Sequence, residues 1–238
     1  MTTMLFRDDP YIQEANGQVI SHTSEGGLVL DCSLFYPTSG GQPGDNGQVE
    51  WSGGIVPIAT TIKGKGDDII MVPGAPENLP PVGAEVRQVL DWNRRYRHMR
   101  VHTMLHLLSV AISLPVTGGS VGSEKGRLDF KMPAGPPDKE PLEETLNALI
   151  ERDLVVSESW ITDADLDANP GLVKTMSVAP PVGQGRIRLV RIGKGDDQID
   201  LQPCGGTHVA RTAEIGRVRV GKIENKGKQN RRVNVILE

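Results

Sequence analysis

Cysteine is scarce in this chain of 238 residues, occurring only as Cys32 and Cys204. Two cysteines do not make a disulfide framework, and in a reducing compartment a lone thiol is more often buried or metal-bound. Long apolar runs are missing as well. No stretch approaches the roughly 18 apolar residues that a membrane helix needs. The first thirty residues carry acidic side chains and no long apolar run, so no secretory leader is expected there. An excess of positive charge is also absent. The net charge of −4 excludes a basic nucleic-acid coat, while a local basic face stays compatible with RNA. No internal repeat and no low-complexity tract is present. The expected setting is the cytoplasm.

What is there changes in texture along the chain. Up to about residue 90, the runs VISH (19–22), LVLDC (28–32), QVEW (48–51), IVPIATTIK (55–63) and DIIMVP (68–73) are β-rich. Between them stand EGG, TSGGQPGDNG, SGG and GKGDD, which is turn chemistry. Short strands at this spacing predict a small barrel or sandwich. PGAPENLPPVG (73–83) reads as a linker, which places a domain boundary near residue 88. From Asp91, a plausible N-cap, a helix is predicted with Tyr96, Met99, Met104, Leu107, Leu108 and Ala111 at helical spacing. Pro115 and the glycines at 118, 119 and 122 end it. RLDFKM (127–132) reads as a strand, and PLEETLNALIERDLVV (141–156) as a second amphipathic helix with Pro141 in its first turn. RIRLVRIG (186–193), IDLQ (199–202) and the segment from Glu214 to the end follow as strands. The expectation is an α+β protein: a barrel or sandwich domain over 1–88, then helices on a mostly antiparallel sheet over 89–238.

Two motifs carry the chemistry. In HMRVHTMLH, histidines fall at 98, 102 and 106. Side chains four apart on a helix share a face about 6 Å apart along the axis, whereas His98 and His106 would be about 12 Å apart. One metal can therefore take His98 with His102, or His102 with His106, but not all three. A hundred residues on, PCGGTH places Cys204 and His208 four apart with glycines between. Four of the five histidines lie in these two clusters, and zinc accepts mixed imidazole and thiolate ligands. His22 and Cys32 read as structural.

Basic residues gather in two places. Arg94, Arg95, Arg97 and Arg100 precede His102, and Lys222, Lys226, Lys228, Arg231 and Arg232 cluster near the C-terminus. Either group suits phosphate contacts, with a solvated charged face as the bland alternative.

HTMLHLL (102–108) together with PCGGTHV (203–209) resembles the editing domain of alanyl-tRNA synthetase and its freestanding relatives, the AlaX proteins. FYPTSGGQPGDNG (35–47) is similar to the glycine-rich motif of the longer forms, and RTAEIGRVRVGKIENKGKQNRRVNVIL (211–237) to their C-terminal strands. The resemblance implies that His102, His106, Cys204 and His208 are the metal ligands, with His98 outside the set. It implies an N-terminal barrel joined to an α+β editing domain, with no room for aminoacylation. The implied activity is hydrolysis, in trans, of the ester linking serine, and sometimes glycine, to the acceptor end of alanine tRNA. Editing of seryl-tRNA for threonine and a non-catalytic zinc-stapled RNA-binding module are the rival readings.

A serine-selective site needs a hydroxyl-bearing partner near the C-terminal end of the first helix, and Thr117 and Ser120 are the candidates. Backbone N–H groups at Gly205 and Gly206 suit an oxyanion hole. Gln42, in the glycine-rich loop, is the side chain there most suited to meet the substrate. Four protein ligands normally close a zinc site, so catalysis would require a fifth position or one yielding ligand, Cys204 or His208.

Overall fold

The computed structural model describes residues 1–75, 77–133, 135–173 and 186–238. Residue 76, inside the linker-like stretch, lies outside them. The chain divides into two compact units, Met1–Tyr96 and Arg97–Glu238.

The first unit is a closed barrel. Its strands are β1 (Glu14–His22), β2 (Leu28–Leu30), β3 (Gly47–Trp51), β4 (Gly54–Lys63), β5 (Ile69–Pro73) and β6 (Glu85–Leu90). They close in the order β1-β2-β5-β4-β3-β6, and β6 pairs back onto β1. Every pairing is antiparallel. Strand alternation sets the inside: in β6, Val86, Gln88 and Leu90 are buried while Glu85 and Arg87 face out or lie at the rim. Gln88 is a polar group in this core, and both ends of its amide are satisfied. Its Oε1 accepts from Leu34 N (3.2 Å) and its Nε2 donates to the Cys32 carbonyl (3.1 Å).

The glycine-rich segment is built into the barrel wall. A Cβ on Gly44 would stand 2.0 Å from the Thr61 carbonyl oxygen, so only glycine permits that approach. Asp45 is 1 % exposed and its carboxylate accepts from Tyr36 N (2.6 Å). Gln42 is 1 % exposed, held in a turn in which Gln42 N and Ser39 N each bond the other's carbonyl.

Helix α1 (Trp92–Ala111) starts in the first unit and runs on into the second. Asp91 caps it, accepting from Arg94 N at 3.2 Å. The spacing predicted one apolar face, but residues 101–109 are all buried, polar ones included. A helix buried all round belongs to a core, and its polar side chains must find partners there.

The second unit adds β7 (Val116–Val121), β8 (Lys125–Lys131), α2 (Lys139–Glu151), β9 (Val156–Ile161), α3 (Asp163–Ala168), β10 (Ile187–Ile192), β11 (Asp200–Pro203), β12 (Val218–Asn225) and β13 (Asn230–Leu237). They form two antiparallel sheets, β12-β13-β8-β7 and β9-β10-β11. α2 ends earlier than its sequence suggests. Asp153 takes a left-handed backbone (φ 49°), and the LVV that follows leads into β9. α2 buries Leu142, Leu146 and Ile150, one stripe at four-residue spacing. It meets β12 through Asn147, whose amide both donates to the Val218 carbonyl and accepts from Val218 N, each at 3.0 Å. Gly126 lets β8 lie against α1, because a Cβ there would be 2.7 Å from Val101.

Candidate metal centre

α1 brings His102 and His106 to one face, and the loop after β11 brings Cys204 and His208 to meet them. The four candidate ligand atoms all lie within 4.8 Å of one another. Cys204 Sγ is 3.5 Å from His102 Nε2 and 3.3 Å from His208 Nε2. The rings of His102 and His208 are 4.3 Å apart between centroids, and those of His106 and His208 4.6 Å. Three imidazoles and one sulfur that converge this closely could hold a metal ion. Of the two helix pairs that spacing left open, His102 with His106 lies in the cluster. His98 is buried and is not one of the four.

Outer partners fix which nitrogen faces inward. His106 Nδ1 donates to Asp200 Oδ2 at 2.9 Å, which leaves Nε2 for the centre. Gln202 Nε2 donates to the same carboxylate oxygen at 2.8 Å. Thr103 Oγ1 gives its proton to the Met99 carbonyl (2.9 Å) and accepts from His208 Nδ1 and Val209 N, both at 3.2 Å. That hydroxyl is satisfied in full, and His208 likewise turns Nε2 inward. The fit to a borderline metal such as zinc is therefore one of donor chemistry and of tautomer together.

Electrostatics follow the same geometry. Burial opposes a charged His106, yet Asp200 and Cys204 hold its pKa up at about 9. Burial and the neighbouring His102 push His208 down to about 3. Burial favours the Cys204 thiol, but the imidazoles of His102 and His208 outweigh it and hold the group well below the ordinary cysteine range. Cys32 differs: burial and the Asp31 carboxylate push it up to about 11.

The remaining candidates are distributed more widely. Thr117 and Ser120 stand on strand β7 and not in a loop. The Thr117 hydroxyl lies 2.8 Å from Asn230 Oδ1 and 3.1 Å from the Asp129 carbonyl. Gly205 is exposed and Gly206 buried, beside Cys204. Gln42 is buried in the first unit. Arg95 is committed inside the protein. It pairs with Asp45, its Nη1 donates to the Pro10 carbonyl (3.0 Å) and its Nη2 to that of Leu34 (2.6 Å). Arg100 donates twice to the Ile215 carbonyl. Arg97 is exposed and pairs loosely with Glu124. Arg232 forks onto Asp129 at 2.8 and 2.9 Å, while Lys226 and Lys228 lie on the exposed β12–β13 turn. Arg231 bonds the Gly227 and Asn230 carbonyls.

Sequence reasoning missed Asp200, Gln202 and Thr103. A signal existed for the first two. In IDLQPC, Asp200, Gln202 and Cys204 alternate, so on a strand they line one face.

The family model for the threonyl and alanyl tRNA synthetase second additional domain matches residues 187–234, and that for class II (A) tRNA synthetases matches residues 8–94. The chain is 33 % identical to the alanyl-tRNA editing protein AlaX-M of Methanosarcina acetivorans, over all of this chain and 99 % of that one. It is 32 % identical to the AlaX-M protein of Methanosarcina barkeri, with the same coverage. Against the alanine–tRNA ligase of Pyrobaculum arsenaticum it is 33 % identical over 94 % of this chain but 25 % of the ligase.

Proposed function

The chain belongs to the AlaX-M family of alanyl-tRNA editing proteins, and from that premise we propose that it is a trans-acting deacylase. It hydrolyses the ester joining serine, and secondarily glycine, to the 3′ end of alanine tRNA, in the cytoplasm. The observation that carries this reading is the four-donor cluster, within a chain matched along its whole length by editing proteins.

The need for such an enzyme is physical. A pocket shaped for alanine rejects serine weakly, because serine merely adds a hydroxyl. A second site that hydrogen-bonds that hydroxyl discriminates far better, since its polar groups stay unpaired with alanine. Thr117 and Ser120 are assigned this role. The Thr117 proton points to acceptors within the protein, which leaves its oxygen to accept from a serine hydroxyl.

His102, His106, Cys204 and His208 would hold zinc. Bound there, it would supply Lewis acidity for polarising an ester carbonyl or acidifying water. Asp200 and Thr103 hold His106 and His208 in the tautomers that ligation requires. Gly205 and Gly206 provide backbone donors for the ester oxygen. Arg94, Arg97, Lys226, Lys228, Arg231 and Arg232 contact phosphates near the acceptor end, and Arg95, Arg100 and Gln42 act by holding the frame.

The test is deacylation of Ser-, Gly- and Ala-tRNA for alanine side by side, with and without a chelator. The expected result is turnover of the first two, sparing of the third, and loss of turnover on chelation. Binding of tRNA with no ester turnover would overturn the reading. Faster turnover of seryl-tRNA for threonine would move the substrate assignment.

A further inference from the structure

Two adjacent glycines between two metal-ligand candidates pose a problem. Glycine loses more conformational freedom on being fixed than any other residue. Something must restrain the peptides of Gly205 and Gly206 if their N–H groups are to keep one direction.

Arg188, on β10, is that restraint. It is 6 % exposed. Its Nη1 donates to the carbonyl oxygens of both Cys204 (2.8 Å) and Gly206 (2.9 Å). Its own carbonyl accepts from Cys204 N at 3.2 Å. Glu158, on β9, holds the far side of the guanidinium, with Nε donating to Oε2 at 2.7 Å and Nη2 donating to Oε1. One planar fork thus fixes two peptide groups of the segment, and a carboxylate fixes the fork.

The direction of the restraint matters. A trans peptide is planar and its N–H points opposite to its C=O. Because the Cys204 carbonyl points at Arg188, the Gly205 N–H of the same peptide is turned away from the guanidinium. Gly205 is exposed, and a side chain there would meet nothing within 4 Å. A positive charge on the carbonyl end also draws electron density towards the oxygen, which strengthens the N–H as a donor. We propose that Arg188 is a positioning residue of the deacylation. It presents the Gly205 N–H, beside Cys204, to the oxygen that gains charge as the ester carbonyl is attacked. This inference rests on the deacylase reading. It assigns one donor to a role that the sequence left shared between two glycines, and it gives that donor a support from 16 residues away.

The test uses the full chain with zinc bound and Ser-tRNA for alanine as substrate. Arg188→Met removes the fork, and Arg188→Lys keeps the charge without the fork's geometry. Loss of one oxyanion donor lowers kcat by about 10²- to 10³-fold. Arg188→Met is expected to fall in that range with KM changed less than about threefold and with zinc content unchanged. Arg188→Lys should recover only part of the loss. A transition-state mimic, a phosphonate analogue of 3′-seryl adenosine, should bind Arg188→Met weakly, while the ground-state amide analogue binds as to the wild type. A second variant is independent of folding at position 188: a synthetic segment 204–238 ligated at Cys204, with the Gly205 N–H replaced by an ester oxygen. It should show the same kcat loss. A folded Arg188→Met with wild-type kcat, or an ester-linked protein with wild-type kcat, overturns the proposal. Wild-type protein that fails to hydrolyse the ester sinks the deacylase reading instead, so the two failures are distinct.

Discussion

Asp200 Oδ2 sits 2.9 Å from His106 Nδ1, and neither side chain exposes more than 7 % of its surface. The carboxylate thereby sets both the ring orientation and the tautomer of one candidate ligand. Outer partners of this kind are worth about 10- to 100-fold in metal affinity. Asp200→Ala is expected to weaken zinc binding by that factor, measured by competition with a chromophoric chelator, while circular dichroism stays native. Asp200→Asn should lose less, because its amide oxygen still accepts from Nδ1. Undiminished affinity in the alanine variant would show that the carboxylate does not govern the ligand.

The two cysteines should differ sharply in reactivity once metal is removed. With a pKa of about 11, Cys32 is thiolate in about one molecule per thousand at pH 8, and its alkylation rate should climb about tenfold per pH unit. Cys204 is held well below the ordinary range by the imidazoles of His102 and His208, so its alkylation should stay faster than that of Cys32 as the pH is lowered. Iodoacetamide labelling followed by peptide mass spectrometry should mark Cys204 first, and added zinc should protect it. Equal labelling of both would contradict the electrostatic account.

The pair of Arg95 and Asp45 is buried on both sides. Removing one partner of a buried pair typically costs about 3–5 kcal/mol, because the other charge is left stranded. Asp45→Asn or Arg95→Met should therefore lower the melting temperature markedly, whereas Lys228→Ala should leave it in place. A small change in the Arg95 variant would mean that water reaches the site.

Phosphate contact by the β12–β13 turn predicts a salt signature. Replacing Lys226 and Lys228 together with alanine should weaken tRNA binding and reduce the log–log salt slope by about 1–2 units. A double variant with the parental slope would place the phosphate contacts elsewhere.

Periodicity made the metal centre legible, because His102 and His106 on a helix and Cys204 and His208 around two glycines are local patterns. Alternation at Asp200 and Gln202 was equally local, but it is meaningful only once Cys204, just past the end of that strand, is taken as a ligand. Strand β7 was hidden by composition. Gly118 and Gly119 look like a loop, and they are strand residues only because β8 supplies their partners. The burial of Arg95 was illegible for a plainer reason. A charged residue in a run of arginines declares nothing about burial, and its partner Asp45 is 50 residues distant. Strand spacing pointed to a barrel or a sandwich, and a barrel closes; the order in which its strands pair was beyond reach, since it does not follow from where they lie in the sequence.

Strand β6 pairs on one side with residues 14–18 and on the other with residues 47–50. The ring therefore has a keystone that is made last. During synthesis, everything up to residue 84 can emerge from the ribosome while the barrel still lacks the piece that joins its two ends, leaving β1 and β3 with open flanks. Non-local pairing of this sort folds slowly and exposes unpaired edges to other chains. Until Glu85–Leu90 appears, a nascent copy therefore carries two strand edges that nothing in its own barrel can cover.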